Sequence, residues 1–261
     1  MRPRFEILTI ALLAGLALAG CAPTSEQSPT PTPPESPAQA TEGPSSDPLM
    51  VAVVTGGHAF DVPNFYRLWR EIPGVDAYPQ HIENFASSPE EVRDAYDVVV
   101  FYGMDQGVPQ EEYPRPRCNP KAALERIVDQ GQGVVILHHA LLAWEKWDVW
   151  NQLTGFDNRN FRYKEGINLA VKVADTEHPA NQGAADFEIV DEGYVLHGEH
   201  DGQGTVLLTV EHDDAMKEVA WARQQGDSRV FCLTLGHDNQ SWANPAFQET
   251  LARGIQWCAG E

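Results

Sequence analysis

The sequence predicts an α/β domain built on a doubly wound, mostly parallel central sheet with an added antiparallel portion. Three observations predict it. Apolar runs alternate with amphipathic stretches through the first half, strand signals crowd the second half, and the chain closes on one more capped helix. Residues 49–54 read as an apolar strand that ends in Thr55-Gly56-Gly57. Phe65, Leu68, Trp69 and Ile72 then fall at i, i+3, i+4 and i+7, the stripe of an amphipathic helix. Residues 97–101 hold a continuous run of β-branched Val98, Val99 and Val100 closed by Phe101, the pattern of a strand buried on both faces of a parallel sheet. Asn119-Pro120 supplies an N-cap and an N1 proline for the next helix, Leu124, Ile127 and Val128 its buried face, and Gly131 its stop. Residues 133–137 are another buried strand, and this alternation implies right-handed crossovers. Strand signals at 169–173, 187–190, 205–210, 219–222 and 229–235 make up the antiparallel portion and the return to the main sheet. Asn244-Pro245 then caps a helix with Phe247, Leu251, Ile255 and Cys258 on one face.

Composition limits what such a domain can do. The chain has 261 residues, 38 acidic side chains against 18 basic ones, and a formal charge of −20. Nucleic acid is thereby disfavoured as a partner, because phosphate binding needs a clustered basic surface. The four cysteines include no CxxC, which argues against a disulfide scaffold and against a cysteine-zinc module. Among Cys118, Cys232 and Cys258 at most one disulfide can form, and spacing does not choose the pair.

The first 48 residues read as targeting rather than fold. Arg2 and Arg4 make a positive start, residues 7–19 an apolar run of 13, and Leu18-Ala19-Gly20-Cys21 follows at once. Thirteen residues are too few to span a bilayer but suit a signal peptide, here residues 1–20. The small residues before Cys21 resemble a bacterial lipobox, whose cysteine is lipidated and becomes the mature N-terminus. In residues 21–48, 17 of 28 are Pro, Ser or Thr with no Lys or Arg, the composition of a solvated tether. The expectation is an exported protein held at the cell envelope by lipid on Cys21. Ala22 stands where an Asp would signal inner-membrane retention, so in a Gram-negative host the expectation is the outer membrane. Residues 49–261 remain as one domain, and without the leader and tether they carry 16 basic and 33 acidic groups, net −17.

In an open α/β sheet, ligands bind beyond the carboxyl ends of the strands. Here those ends carry Gly56-Gly57-His58, Tyr102-Gly103-Met104-Asp105, His138-His139 and Gly236-His237-Asp238. Parallel strands of one sheet share that edge whatever their order, so these groups are expected to converge. Gly56-Gly57 lacks the GxGxxG fingerprint, and no nucleotide cofactor is expected. Asp191-Glu192-Gly193-Tyr194 offers an acidic pair beside an aromatic ring, able to bind sugar hydroxyls or act as a base. Its competing reading is a solvated loop. His178, His200 and His212 read as structural or surface residues, and Trp144, Trp147 and Trp150 as a core or rim stripe rather than a sugar platform.

Several segments in order resemble ThuA-like (trehalose utilisation) proteins. They are Val53 through His58, Leu137-His138-His139-Ala140, Trp150 through Gly155, His178-Pro179, Asp191 through Tyr194, Val219-Ala220-Trp221, Arg229-Val230-Phe231 and Leu235 through Asp238. The resemblance implies a flavodoxin-like sandwich of the class I glutamine amidotransferase type, and an association with trehalose-type disaccharides or keto-sugars. Amidotransferases of that fold carry a nucleophilic cysteine on a tight turn after a strand. The corresponding turn here is Leu137-His138-His139, so an acyl-enzyme route is closed. Many ThuA-like proteins have His-Pro before the Val-Ala-Trp segment, where this chain has Lys217-Glu218.

The leading expectation is an envelope-anchored enzyme acting on a small carbohydrate. Its candidate catalytic residues are His58, His138, Glu192 and His237, with Tyr102, Asp105, His139, Tyr194 and Asp238 as candidate substrate contacts. Histidines suit two mechanisms near neutral pH. His58, His138 and His237 could hold a zinc-like divalent metal, or histidine and Glu192 could move protons directly. The alternatives are a surface sugar-binding protein without turnover and an interaction module of the envelope.

Overall fold

The computed structural model describes residues 47–112, 114 and 117–260, so the leader, Cys21 and nearly all of the tether lie outside the described residues. Alternation within each strand divides the core in two. In β1 (Leu49–Gly56), Val51 and Val53 face one side of the sheet while Ala52 and Val54 face the other. β3 (Val98–Gly103) repeats the division with Val98, Val100 and Tyr102 against Val99 and Phe101. Both faces are apolar, so both must be covered.

Helices cover them as the sequence predicts. α1 (Val62–Glu71) is capped by the Asp61 side chain, carries a proline in its first turn, and buries Phe65, Leu68 and Trp69 on the first face. α7 (Pro245–Ala259) joins it there through Phe247, Leu251 and Ile255. The second face receives α2 (Ile82–Ser87) through Ile82 and Phe85, and α4 (Pro120–Asp129) through Leu124 and Ile127. Short helices α3 (Glu90–Arg93), α5 (Asp148–Thr154) and α6 (Asn239–Trp242) complete the set.

One sheet of nine strands runs in the order β2-β1-β3-β4-β9-β8-β7-β5-β6. Its parallel part is β2 (Val75–His81), β1, β3, β4 (Gly133–Leu137) and β9 (Ser228–Leu233). With β9 as the fifth strand this is the 2-1-3-4-5 order of the flavodoxin-like doubly wound sheet. The antiparallel part is β8 (Glu218–Gln225), β7 (Thr205–Thr209), β5 (Phe161–Val173) and β6 (Phe187–Leu196).

Two elements depart from the sequence expectation. β2 has no apolar run, only alternating half-buried positions with Pro79 among them, which an edge strand tolerates and a central one does not. The β5–β6 pair is longer than its apolar stretches. β5 begins at Phe161, and β6 continues through Asp191-Glu192-Gly193-Tyr194 to Leu196, so those four residues are strand and are buried, not a solvated loop. Only Lys172 and Val173 of β5 pair with β7, and a register shift lies between Lys164 and Ile167. The hairpin therefore leaves the main sheet and brings β6 onto the carboxyl edge of β4 and β9.

Close approach at that edge constrains the β1 turn. Gly57 has φ +63°, and a Cβ there would lie 2.5 Å from the Asp105 backbone nitrogen. Gly57→Ala is expected to cost about 1–3 kcal/mol, from the left-handed conformation and the clash together. Urea denaturation monitored by far-UV circular dichroism measures it.

Candidate functional site

His138 sits where β4 stops and the chain turns sharply into the 3₁₀ turn His138–Leu142. Its φ of +53° is left-handed, a conformation that costs a non-glycine residue about 1–3 kcal/mol and persists only when its surroundings enforce it. The enforcement is visible. His138 Nδ1 lies 2.8 Å from the carbonyl oxygen of Thr234, which can only accept, so Nδ1 carries the proton and Nε2 is the ring nitrogen turned into the site. The side chain is fully buried.

His237 comes from the turn after β9, and three groups hold that turn. Buried Asp191 accepts the N–H of Gly236 at 2.7 Å on one oxygen and that of His237 at 3.0 Å on the other. The Tyr102 hydroxyl donates to the carbonyls of Gly236 and His237, each at 3.2 Å, and the Trp242 indole N–H donates to Gly236 at 2.8 Å. Gly236 itself has φ +113°, and a Cβ would stand 2.9 Å from the Phe247 ring. Only glycine fits.

Glu192 and Tyr194 arrive from β6, and the four side chains meet. The Tyr194 hydroxyl is 2.8 Å from His138 Nε2. Glu192 Oε2 is 3.2 Å from His138 Nε2 and 3.4 Å from His237 Nδ1, and the two ring nitrogens are 3.2 Å apart. Exposure is graded: the His138 side chain is at 0%, Glu192 at 7% and His237 at 24%, so the cluster meets solvent on the His237 side. Burial pushes the Glu192 carboxyl up, but its neighbours His138, His237 and Tyr194 outweigh it and hold the group well below the usual range. The hydrogen bond to Glu192 raises His237 against the opposing effect of burial. Burial raises the Tyr194 phenol, which stays protonated as a donor. Burial also raises Asp191, opposed by His138 and the backbone N–H groups it accepts.

Other candidate residues are placed elsewhere. His58 is exposed and packs its ring against His139, ring centroids 4.2 Å apart, so it does not join His138 and His237 in a ligand set. Among the described residues, the group able to hold a metal ion is instead His138, Glu192 and His237, whose ligand atoms lie within 4.8 Å of one another. His139 is not open to a substrate, since it is buried against Tyr102, and burial with His138 and His58 nearby pushes it down to about 2. Tyr102 is likewise buried, its hydroxyl spent on the His237 turn. Asp238 caps α6 in a capping box, which occupies its carboxylate. Asp105 lines a separate cavity of about 110 Å³ with Ile82, Gln106 and Trp144. Trp144, Trp147 and Trp150 pack with Phe101 in the core. Cys118, Cys232 and Cys258 are free and buried, and none stands on the β4 turn. Sequence reasoning paired Asp191 with Glu192 but missed its role under the turn. Its signal was an acid set directly after the strand residues 187–190.

The profile of ThuA, described as trehalose utilisation, matches residues 82–258. The chain belongs to the ThuA family. A ThuA-like protein from Parabacteroides merdae superimposes with a TM-score of 0.65 at 19% identity, over 81% of this chain and 90% of that one. A second, from Bacteroides uniformis, gives 0.61 at 15% identity over 84% and 95%. PurLQS from Thermotoga maritima gives 0.52 at 13% identity over 80% and 99%, a likeness of fold consistent with the class I glutamine amidotransferase type. No curated protein matches the sequence.

This ThuA domain holds a second polar group on the antiparallel side. His200 takes the structural role of the two the sequence allowed: half-buried, it packs against Phe156 and Trp221, 3.6 Å from Glu218. Buried Arg223 on β8 binds both oxygens of Asp201, at 2.9 and 3.3 Å. Burial raises the Asp201 carboxyl, but Arg223 prevails and holds it below its ordinary value of 3.8. A carboxyl depressed on folding contributes stability that is present above its unfolded value and lost as pH falls through the folded one. Asp201→Asn is therefore expected to lower the urea midpoint at pH 7 and to flatten the loss of stability below about pH 4. Urea midpoints of both proteins across pH 2.5–7 measure it, as a rough window set by those carboxyl values.

Proposed function

We propose that the chain is an exported, lipid-anchored enzyme of carbohydrate utilisation, with His138, Glu192 and His237 as its reacting groups and Tyr194 beside them. The observation that supports catalysis is their convergence. Four polar groups from β4, β6 and β9 meet within 3.4 Å at the strand ends, one of them held in a costly left-handed conformation. Stability alone gains little from such an arrangement. A neutral imidazole beside an ionised carboxylate can pass a proton near neutral pH or polarise an oxygen through a bound cation. Both suit hydrolysis or enolisation of a sugar carrying a carbonyl.

The family description supports a trehalose-type disaccharide or keto-sugar as the substrate class. A non-catalytic sugar-binding protein on the same tether is the alternative. It has less support, since Trp144, Trp147 and Trp150 are buried and offer no surface for stacking on a sugar ring.

Anchoring rests on Arg2, Arg4, the apolar run and Cys21. No helix of the described residues is long and apolar enough to cross a membrane.

Glu192→Gln keeps the shape and removes the charge. It is expected to lower turnover of the active sugar, found by screening disaccharides and their keto forms, by about 10²–10⁴-fold with the fold intact. A wild-type chain that binds sugars without converting any of them would put the binding protein in its place. Cys21→Ser is expected to move the protein from the detergent phase to the aqueous phase on Triton X-114 partition, and equal partition of the two would remove the lipid anchor.

A further inference from the structure

We infer that His138, Glu192 and His237 form a four-coordinate centre for a divalent first-row metal ion of the zinc type, with its fourth position open on the His237 side. The inference deepens the reading above and rests on it for the use of the site, though not for the binding of the ion.

Distances separate this from an ion pair. Charge-assisted hydrogen bonds between a histidine and a carboxylate run about 2.7–2.9 Å. Here Glu192 Oε2 stands 3.2 Å from His138 Nε2 and 3.4 Å from His237 Nδ1, and those nitrogens are 3.2 Å apart. Ligand atoms held about 2.0–2.1 Å from a tetrahedral ion are about 3.3–3.4 Å from one another. The three separations are thus the edges of one face of a coordination tetrahedron, and are long for the hydrogen bonds they would otherwise be.

Proton placement leads to the same conclusion. Thr234 accepts the Nδ1–H of His138, which turns Nε2 toward Glu192 and Tyr194 as the ring nitrogen available to a ligand. The same backbone carbonyl is the customary outer partner of a ligating histidine, fixing the tautomer and the ring orientation. Asp191 serves His237 comparably, by pinning the turn that carries it. Two histidines and one carboxylate leave a vertex for water or substrate, the pattern of a catalytic rather than a structural zinc site. At that vertex the ion could polarise a sugar carbonyl or activate water. Tyr194, 2.8 Å from His138 Nε2, is placed to donate to an oxygen bound there.

The test uses the full chain, free of any histidine tag, purified in detergent and stripped with a chelator. Cobalt(II) is titrated with no sugar present, followed by visible absorption and by elemental analysis after gel filtration. The expected result is one equivalent per chain with the intense visible bands of four- or five-coordinate cobalt, displaced by zinc. Glu192→Gln and His237→Ala should each bind cobalt at least about tenfold more weakly, while His58→Ala binds as the wild type does. His237→Ala lies on a partly exposed turn and keeps the test open if the Glu192 variant does not fold, as judged by circular dichroism.

A folded wild-type chain that takes up no cobalt or zinc would overturn the proposal, as would undiminished binding by folded Glu192→Gln and His237→Ala. The two readings fail separately. A metal-free wild type that still converts a sugar removes the centre and leaves the enzyme, whereas stoichiometric metal with no sugar conversion leaves the centre and removes the enzyme.

Discussion

Everything at the strand edge depends on the buried carboxylate of Asp191. It accepts three backbone N–H groups, from Glu192, Gly236 and His237, at 2.7 to 3.0 Å. One side chain therefore joins the hairpin strand β6 to the turn after β9, two segments 45 residues apart. Burying a carboxylate is expensive, and N–H donors aimed at its oxygens are the means of offsetting that cost. Without it, the turn that carries His237 and the strand that carries Glu192 would lose their direct link, and Tyr102 and Trp242 alone would hold the turn.

Around this contact the fold repeats one device, a polar group that fixes backbone so that another can be presented. Thr234 holds His138 by its carbonyl, Tyr102 and Trp242 hold Gly236, and Phe247 closes on the space that a side chain at Gly236 would need. The parallel half of the sheet supplies the rigid floor, since both its faces are packed by helices. What is presented differs from the amidotransferase arrangement that the sheet order resembles. The turn after β4 carries an imidazole in the left-handed conformation, and no cysteine stands there. A shared sheet with a different group at its sharpest turn fits the general observation that chemistry is grafted onto folds rather than dictated by them.

The histidines divide according to their support. His138 and His237 have a partner for the second ring nitrogen or for the backbone that carries them, and they meet. His58 and His139 pack their rings together at the ends of β1 and β4 and enter no such network. Position at the carboxyl edge brought all four to one rim, but only a third element, β6, selected which of them share a site. Nothing along the parallel strands distinguishes them.

Read alone, the sequence determined the layers. Continuous apolar runs, the i, i+3, i+4 stripes and the Asx-Pro caps are local signals, set by how a central strand buries both faces and a helix one, and they located β1, β3, β4, α1, α4 and α7. It also carried the strand-end histidines and the Asp191-Glu192-Gly193-Tyr194 segment, because residue type is legible wherever it falls. Tertiary structure decided what those residues do. β2 lacked an apolar run because it is an edge strand, and β6 outran its own because the hairpin leaves the sheet, so periodicity was silent at both. Which histidine meets Glu192 depends on a contact between residues 54 and 45 positions apart, and no spacing along the chain encodes it. Sequence pattern records the burial of each element against whatever lies beneath it. Convergence of side chains is a property of how the elements are placed on one another.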